Sequence, residues 1–374
     1  MDFYLKVFKK IDFILVIAVG LIIVLSLFVL ASATKHLEGD HVQRQLIAVF
    51  IGLVAILVIL RLDYSNISKY AKYIYFFNLA ILLAVLIFGK EIKGAKAWIV
   101  LPFFGSIQPA EFSKLLLIIA YADFLNRRRE NLETIWELLP AFAYILPPLA
   151  LIMLQPDLGT GLVLIAVMIG MLFVAGANPL WLAGIFGGGS LAGVGYILGH
   201  LKFGWWMPLK GYQLNRILVL FDPTIDPRGV GWNVLQSKIA VGNGGLWGQG
   251  IGQGTQSLGQ FLPEQWTDFA FAVFAEEMGF VGTALIIVLF FIILSRSLKI
   301  ARTARDMNGA LIATGIVSMY LFHILENIGM NIGLMPVTGI PLPFISYGGT
   351  AMIVNLMAIG VLLNIQIRRN KLMF

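Results

Sequence analysis

The sequence contains no cysteine, which excludes disulfides and thiolate metal sites and leaves the compartment open. Charge is nearly as scarce. Only 13% of residues are Asp, Glu, Lys or Arg, where soluble proteins average roughly 25%. Also missing are H-E-x-x-H, a Cys/His metal cluster, G-x-S-x-G and a Walker loop, so the common signatures of zinc proteases, serine hydrolases and nucleotide hydrolases are absent. What fills the chain is apolar, at 59% of 374 residues. A soluble chain of this length could not hide so much apolar surface in one core, so the class is an integral membrane protein. The net charge of +7 is not a nucleic-acid footprint, because its placement follows a membrane rule. No nucleic-acid partner is expected.

The pattern predicts one polytopic all-α unit over residues 1–374 with about ten transmembrane helices. The first apolar run, about Ile11–Ala33, follows Lys6, Lys9 and Lys10 and ends in Ala31-Ser32-Ala33, like a secretion signal. It is too long for one, since signal cores run about 7–15 residues, and it reads as an uncleaved first span. The others are Leu46–Leu60, Tyr73–Phe88, Phe112–Leu125, Glu137–Leu154, Leu158–Ala175, Leu180–Leu198, Phe269–Leu294, Gly309–Leu334 and Thr350–Ile367. Sixteen basic residues fall on the side that includes both termini, from Lys6 through Arg127–Arg129 and Arg296 to Lys371, against five on the other once the long loop is set aside. Both termini are therefore expected in the cytoplasm. The loop of about 199–268, and every Pro- or Gly-rich connection, then faces outward. By eye the chain has no internal repeat, which disfavours the commonest transporter designs.

Charges inside spans are expensive and usually serve a purpose or a partner. Asp268, in Phe261-Leu-Pro-Glu-Gln-Trp-Thr-Asp268, stands where an apolar helix begins after Pro263. With Thr267 as a plausible N-cap, Asp268 reads either as a first-turn carboxylate on the helix dipole or as a catalytic carboxylate at the membrane surface. Glu111 and Lys114 share one helix face, as a mutually neutralising pair or as a cavity-lining pair that touches a charged substrate. Asp157 opens another helix, as cap or as substrate contact. Arg216 and Arg228 lie in the outer loop and suit phosphate oxygens. Trp232–Val241 reads as a short amphipathic helix on the membrane. Gly242–Gly254, with seven glycines in thirteen residues, reads as a flexible loop or as backbone approaching a pyrophosphate. Glu276 and Glu277 diverge around one helix, so at least one needs a polar neighbour. His323, Glu326, Asn327 and Asn331 form a polar row that reads as interhelical glue.

At these residues the chain resembles the SEDS family (shape, elongation, division and sporulation). The resemblance rests on Gly94-Ala-Lys-Ala-Trp98, Gln108-Pro-Ala-Glu-Phe-Ser-Lys114, Gln155-Pro-Asp-Leu-Gly-Thr160, Gly244-Gly-Leu-Trp-Gly248, the Phe261–Phe269 block, Glu276-Glu277 and Met335–Gly349. It runs nearly end to end, and the Phe261 block with Asn327…Met330-Asn331-Ile-Gly-Leu-Met-Pro336 favours the elongation-type members over the division-type ones. It implies peptidoglycan glycosyl transfer on lipid II at the outer face of the bacterial cytoplasmic membrane, for cell elongation and rod shape. The family's essential carboxylate maps onto Asp268, and its polar cavity pair onto Glu111 and Lys114. Trp266 stands where the family usually has His, Ala110 where Ser is usual and Thr350 where Ser is common. Implied partners are lipid II, the lipid-linked glycan strand, a class B penicillin-binding protein transpeptidase and other elongation-complex membrane proteins. A divalent cation, Mg or Mn, could sit at Asp268; no organic cofactor is expected. The small residues Gly309, Ala310, Ala313, Gly315, Ser318 and Gly329 offer a surface for the transpeptidase's single span. The opposing readings are a lipid flippase, which would need polar residues through the whole membrane depth, and a non-catalytic scaffold.

Overall fold

A computed structural model describes residues 10–369 apart from 36, 38, 93–94, 102–104, 131 and 208–210. Lys6, Lys9, Gly94 and Lys371 lie outside the described residues. The ten expected spans appear as α1 (Phe13–Ala33), α2 (His41–Arg61), α4 (Ala71–Phe88), α5 (Pro109–Arg128), α6 (Ile135–Leu154), α7 (Leu158–Ala175), α8 (Pro179–Phe203), α12 (Ala270–Arg302), α13 (Met307–Asn331) and α14 (Gly349–Ile367). Nine are long and apolar enough to cross a membrane by composition alone. The tenth, α5, is 20 residues long and carries Glu111, Lys114, Asp123 and two terminal arginines. Shorter helices fill the connections: α3 (Tyr64–Lys69), α9 (Gly211–Leu218), α10 (Val230–Asn243) and α11 (Thr255–Leu258).

The all-α expectation needs one addition. Lys90–Ile92 (β1), Ala95–Leu101 (β2) and Gly105–Ile107 (β3) form a small antiparallel sheet in the order β1-β2-β3. It leads straight into Gln108 and the start of α5.

The central helices are α13 and α14, which are mostly buried. Helix α14 packs along α2, and α13 along α7 and α12. Outer helices keep large apolar side chains exposed, such as Phe50, Tyr73 and Leu180. In water such a surface would be a liability; along a span it is the lipid-facing side. One end of the bundle is tied by ionic and polar contacts. Arg296 Nε donates to Asp12 at 2.7 Å, Tyr64 to Asp306 at 3.0 Å, and Arg368 to the Leu60 carbonyl at 3.1 Å. Burial, with Asp306 alongside, pushes the Tyr64 hydroxyl above its usual range.

The row of small residues on α13 faces inward, which overturns its expected role as a partner surface. Ala313 is fully buried. A Cβ on Gly315 would meet Ile118 and Met171, and one on Gly329 would meet Met335. Lipid and protein interior are equally apolar, so a small-residue stripe marks close packing without saying against whom.

Gly242–Gly254 is neither a loose loop nor a phosphate cradle. It wraps a break in α12 at Gly279, whose φ is 64°. Gln249 and Gly250 donate to the carbonyls of Glu276 and Glu277 at 3.0 and 3.1 Å, while Phe280 and Val281 donate back to Gly245 and Leu246 at 2.9 and 3.1 Å. These bonds engage backbone groups on both sides of the break. The Glu276 carboxylate accepts from the N–H groups of Gln256 and Ser257 at the start of α11, and Glu277 takes a hydrogen bond from Ser32. A Cβ on Gly279 would lie 2.2 Å from the Gly248 nitrogen. Gly279→Ala is therefore expected to lower the unfolding free energy by about 2–5 kcal/mol, combining left-handed strain with overpacking. Thermal unfolding in detergent checks this.

Candidate active site

Asp268 lies at the end of the bundle opposite the ionic ties. The turn before it is held by Gln265, whose Nε2 donates to the Ala33 carbonyl at 2.8 Å. Helix α12 begins only at Ala270, with Phe269 in the N-cap position and no cap bond from its side chain. Thr267 is not the cap: its hydroxyl donates to the Glu264 carbonyl at 3.3 Å and to the Glu264 carboxylate at 3.2 Å. Asp268 thus precedes the helix instead of sitting in its first turn.

The cap comes from another helix. Asn331 at the end of α13 accepts from Ala272 N–H at 3.1 Å, and its amide donates to the Asp268 carbonyl at 3.2 Å. Asn327, one turn earlier, donates to the same carbonyl at 3.0 Å and to the Ile340 carbonyl at 2.8 Å. Two fully buried amides therefore clamp the Asp268 backbone, while its side chain is half-buried. Asn331→Ala should cost about 1–3 kcal/mol through the lost cap and unpaired groups. Faster hydrogen exchange at Ala270–Ala272 is the local signature of that loss.

The segment 335–348, which joins α13 to α14, closes the site from the other side. Ser346 donates to the Thr267 carbonyl at 2.5 Å, and Tyr347 N–H to the Trp266 carbonyl at 2.8 Å. Gly339 has a φ of 79°, and a Cβ there would come within 3.4 Å of Asp268 Oδ2, so the backbone approaches the carboxylate closely. Thr338 joins two charged groups. Its hydroxyl donates to Glu326, and its carbonyl accepts from Arg216 Nη1 at 3.3 Å. Glu326 is in electrostatic range of both Asp268 and Arg216. One of its oxygens, Oε2, has no hydrogen-bond partner among the described residues. The sequence pattern had placed Glu326 among interhelical glue; only the fold sets it beside Asp268.

Glu111 and Lys114 form a buried ion pair at 2.8 Å. Lys114 Nζ also donates to His323 Nε2 at 3.1 Å. That bond leaves Nδ1–H to donate to the Pro341 carbonyl at 3.0 Å. The pair therefore anchors the same segment that lies against Asp268. Asp157 is a cap: one oxygen accepts from Thr160 N–H at 2.9 Å, and the other from the Thr160 hydroxyl at 2.8 Å and from Gln108 Nε2 at 3.0 Å. It joins the Gln108 and Gln155 motifs. Gly159, two residues on, packs against Ile340 and Thr338.

The Arg expectations divide. Arg216 is brought to the site; Arg228 is exposed, and among the described residues no contact links it to Asp268. Helix α10 covers the expected Trp232–Val241, but its Ser237 packs inward and donates to the Asn331 carbonyl at 2.8 Å. Trp266 has the His41 ring as an aromatic neighbour, and the same imidazole meets Tyr347 edge-on, so an imidazole from α2 adjoins this turn.

The sequence matches the cell cycle protein family FtsW/RodA/SpoVE over residues 8–371. The chain belongs to this family. Among FtsW/RodA/SpoVE proteins it is 39% identical over 359 residues to stage V sporulation protein E of Bacillus subtilis, covering 94% of each chain. It is 38% identical to the probable peptidoglycan glycosyltransferase FtsW of Trichlorobacter lovleyi, covering 92% of this chain and 89% of that one. Against the peptidoglycan glycosyltransferase MrdB of Escherichia coli K12 the identity is 35%, with 94% and 92% covered. The fold agrees with the FtsW/RodA/SpoVE assignment. A solved structure described as "structural coordination of polymerization and crosslinking by a peptidoglycan synthase complex" matches with a TM-score of 0.81 at 31% identity, over 96% of this chain and 99% of that one. The crystal structure of Thermus thermophilus RodA matches with a TM-score of 0.70 at 28% identity, over 96% and 98%.

Proposed function

We propose that this protein is a peptidoglycan glycosyltransferase that polymerises lipid II into glycan strands at the outer face of the bacterial cytoplasmic membrane. The observation that carries the reading is the half-buried Asp268 carboxylate, its backbone clamped by Asn327 and Asn331, with Arg216 bonded to Thr338 in the segment that lies against it. Outward placement of this site is supported by the basic residues at the opposite end of the bundle. Gathering of Asp268, Glu326 and Arg216 around the 335–348 segment at one end supports a surface reaction over lipid translocation.

In this mechanism Asp268 takes the proton from the 4-hydroxyl of the acceptor's N-acetylglucosamine. That oxygen forms a bond to C1 of the lipid-linked donor strand as the C1–oxygen bond to the diphosphate breaks, inverting the sugar. Polyprenyl diphosphate leaves with the electron pair, and in this reading the Arg216 guanidinium receives its charge. The polyprenyl tail needs a lipid-facing surface, which the exposed apolar faces provide. Asp268 and Glu326, with its partnerless oxygen, suit Mg or Mn, which bind through one or two carboxylates plus water and substrate phosphate. A bound cation would neutralise the diphosphate's developing charge. Among the described residues no cluster of three or more such ligands exists.

The finer role is a choice between branches. Identities of 39% and 38% to sporulation and FtsW relatives, with 35% for both MrdB and the FtsW of Geobacter sp. M18 and 30% for Treponema pallidum RodA, support a division- or sporulation-type polymerase as an alternative to the elongation role that the motifs suggest. A class B penicillin-binding protein transpeptidase is the proposed partner in either case. The test is polymerisation of lipid II by the purified protein, with and without such a transpeptidase. We expect glycan strands on gels, lost on chelation and restored by Mg or Mn. A protein that bound lipid II without extending it under all these conditions would sink the reading.

A further inference from the structure

A cavity of about 410 Å3 lies away from Asp268, opening at the opposite end between the start of α1 and the ends of α12 and α14. Lys10, Arg296, Lys299 and Arg369 line it, together with Asp12 and apolar side chains such as Ile14 and Ile367. The Asp12 carboxylate is already engaged. One oxygen accepts from Leu15 N–H at 3.2 Å, capping α1, and the other from Arg296 Nε at 2.7 Å. Arg296 and Asp12 therefore neutralise each other. Lys10, Lys299 and Arg369 have no carboxylate partner among the described residues. Three uncompensated cations around one cavity favour an anion.

The apolar part of the lining decides which kind. Helices α1 and α12 pack side by side, and outward from the cavity they expose Ile14, Ile17 and Leu21 on one and Leu298 and Phe291 on the other. A soluble anion would use the cations and ignore this surface. A two-tailed amphiphile uses both, with its charged group among the cations and its chains along the helices. The positive-rich end of a membrane protein is also where anionic lipid concentrates.

We propose that this cavity is a binding site for the headgroup of an anionic phospholipid, held by Lys10, Lys299 and Arg369. It is separate from the reaction at Asp268, which lies at the other end of α12. The site would tie the α1, α12 and α14 ends to the lipid composition of their leaflet.

The test uses the full chain in neutral detergent, titrated with phosphatidylglycerol or phosphatidylcholine, with retained lipid counted by native mass spectrometry. Inorganic phosphate is the competitor that separates a lipid site from a simple anion site. The test variant is K10Q/K299Q/R369Q, which leaves the Asp12–Arg296 pair intact. The control, R127Q/R128Q/R129Q, removes equal charge from exposed positions at the end of α5. We expect phosphatidylglycerol to be retained at least tenfold better than phosphatidylcholine, unaffected by millimolar phosphate. At the ordinary strength of a cation near an anionic surface, the test variant should lose roughly a hundredfold and the control little. Equal retention by test variant and wild type, equal loss in the control, or displacement by phosphate would each overturn the proposal. So would equal retention of the two lipids, which would instead suit an acidic protein segment.

Discussion

Asp268→Asn should reduce lipid II polymerisation by roughly 10²–10⁴-fold, the usual contribution of a general base, while unfolding stays within about 0.5 kcal/mol of wild type. The two expectations separate because backbone and side chain have separate jobs here. Asn327 and Asn331 hold the Asp268 carbonyl, which the substitution leaves in place. The α12 cap is supplied by Asn331, so it does not depend on the Asp268 carboxylate. Asn is nearly isosteric but cannot take a proton at neutral pH. Initial rates on purified lipid II, beside thermal unfolding, give both numbers. A variant that polymerised at the wild-type rate would leave Asp268 a structural residue.

The second large effect concerns the buried pair. Glu111→Ala should destabilise the protein by about 3–5 kcal/mol, because Lys114 then keeps a buried charge with only His323 to receive it. Glu111→Gln combined with Lys114→Met removes both charges at similar volume and should restore most of that loss. We propose that this double variant, though folded, polymerises slowly, because His323, which holds Pro341 in the segment beside Asp268, loses its Lys114 anchor. Thermal unfolding and polymerisation are measured on the same preparations. Full activity in a stable double variant would reduce the pair to a neutral packing device.

Much of the architecture was legible from the sequence because it follows from local physics. A run of twenty apolar residues must become a helix in a bilayer whatever its neighbours are. That is why all ten spans were found, with ends shifted by a few residues. Asp157 as a helix opener and Glu111–Lys114 as a pair were likewise readable, since each involves positions three residues apart. What local physics could not supply was the identity of the neighbour. The α12 cap was sought at Thr267, next in sequence, but Asn331 provides it from sixty residues away. The small-residue face of α13 was read as lipid-facing, and it lies against α5, α7 and the 335–348 segment. The glycines of 242–254 signalled close approach, but only the break at Gly279 revealed what they approach. Glu326 had no mark in the sequence beyond its place in a polar row. Folding puts it beside Asp268, because Thr338 and Arg216 arrive there from two other segments. Periodicity fixes which residues share a helix face, whereas long-range packing decides what that face meets, and the carboxylate pair exists only through that packing.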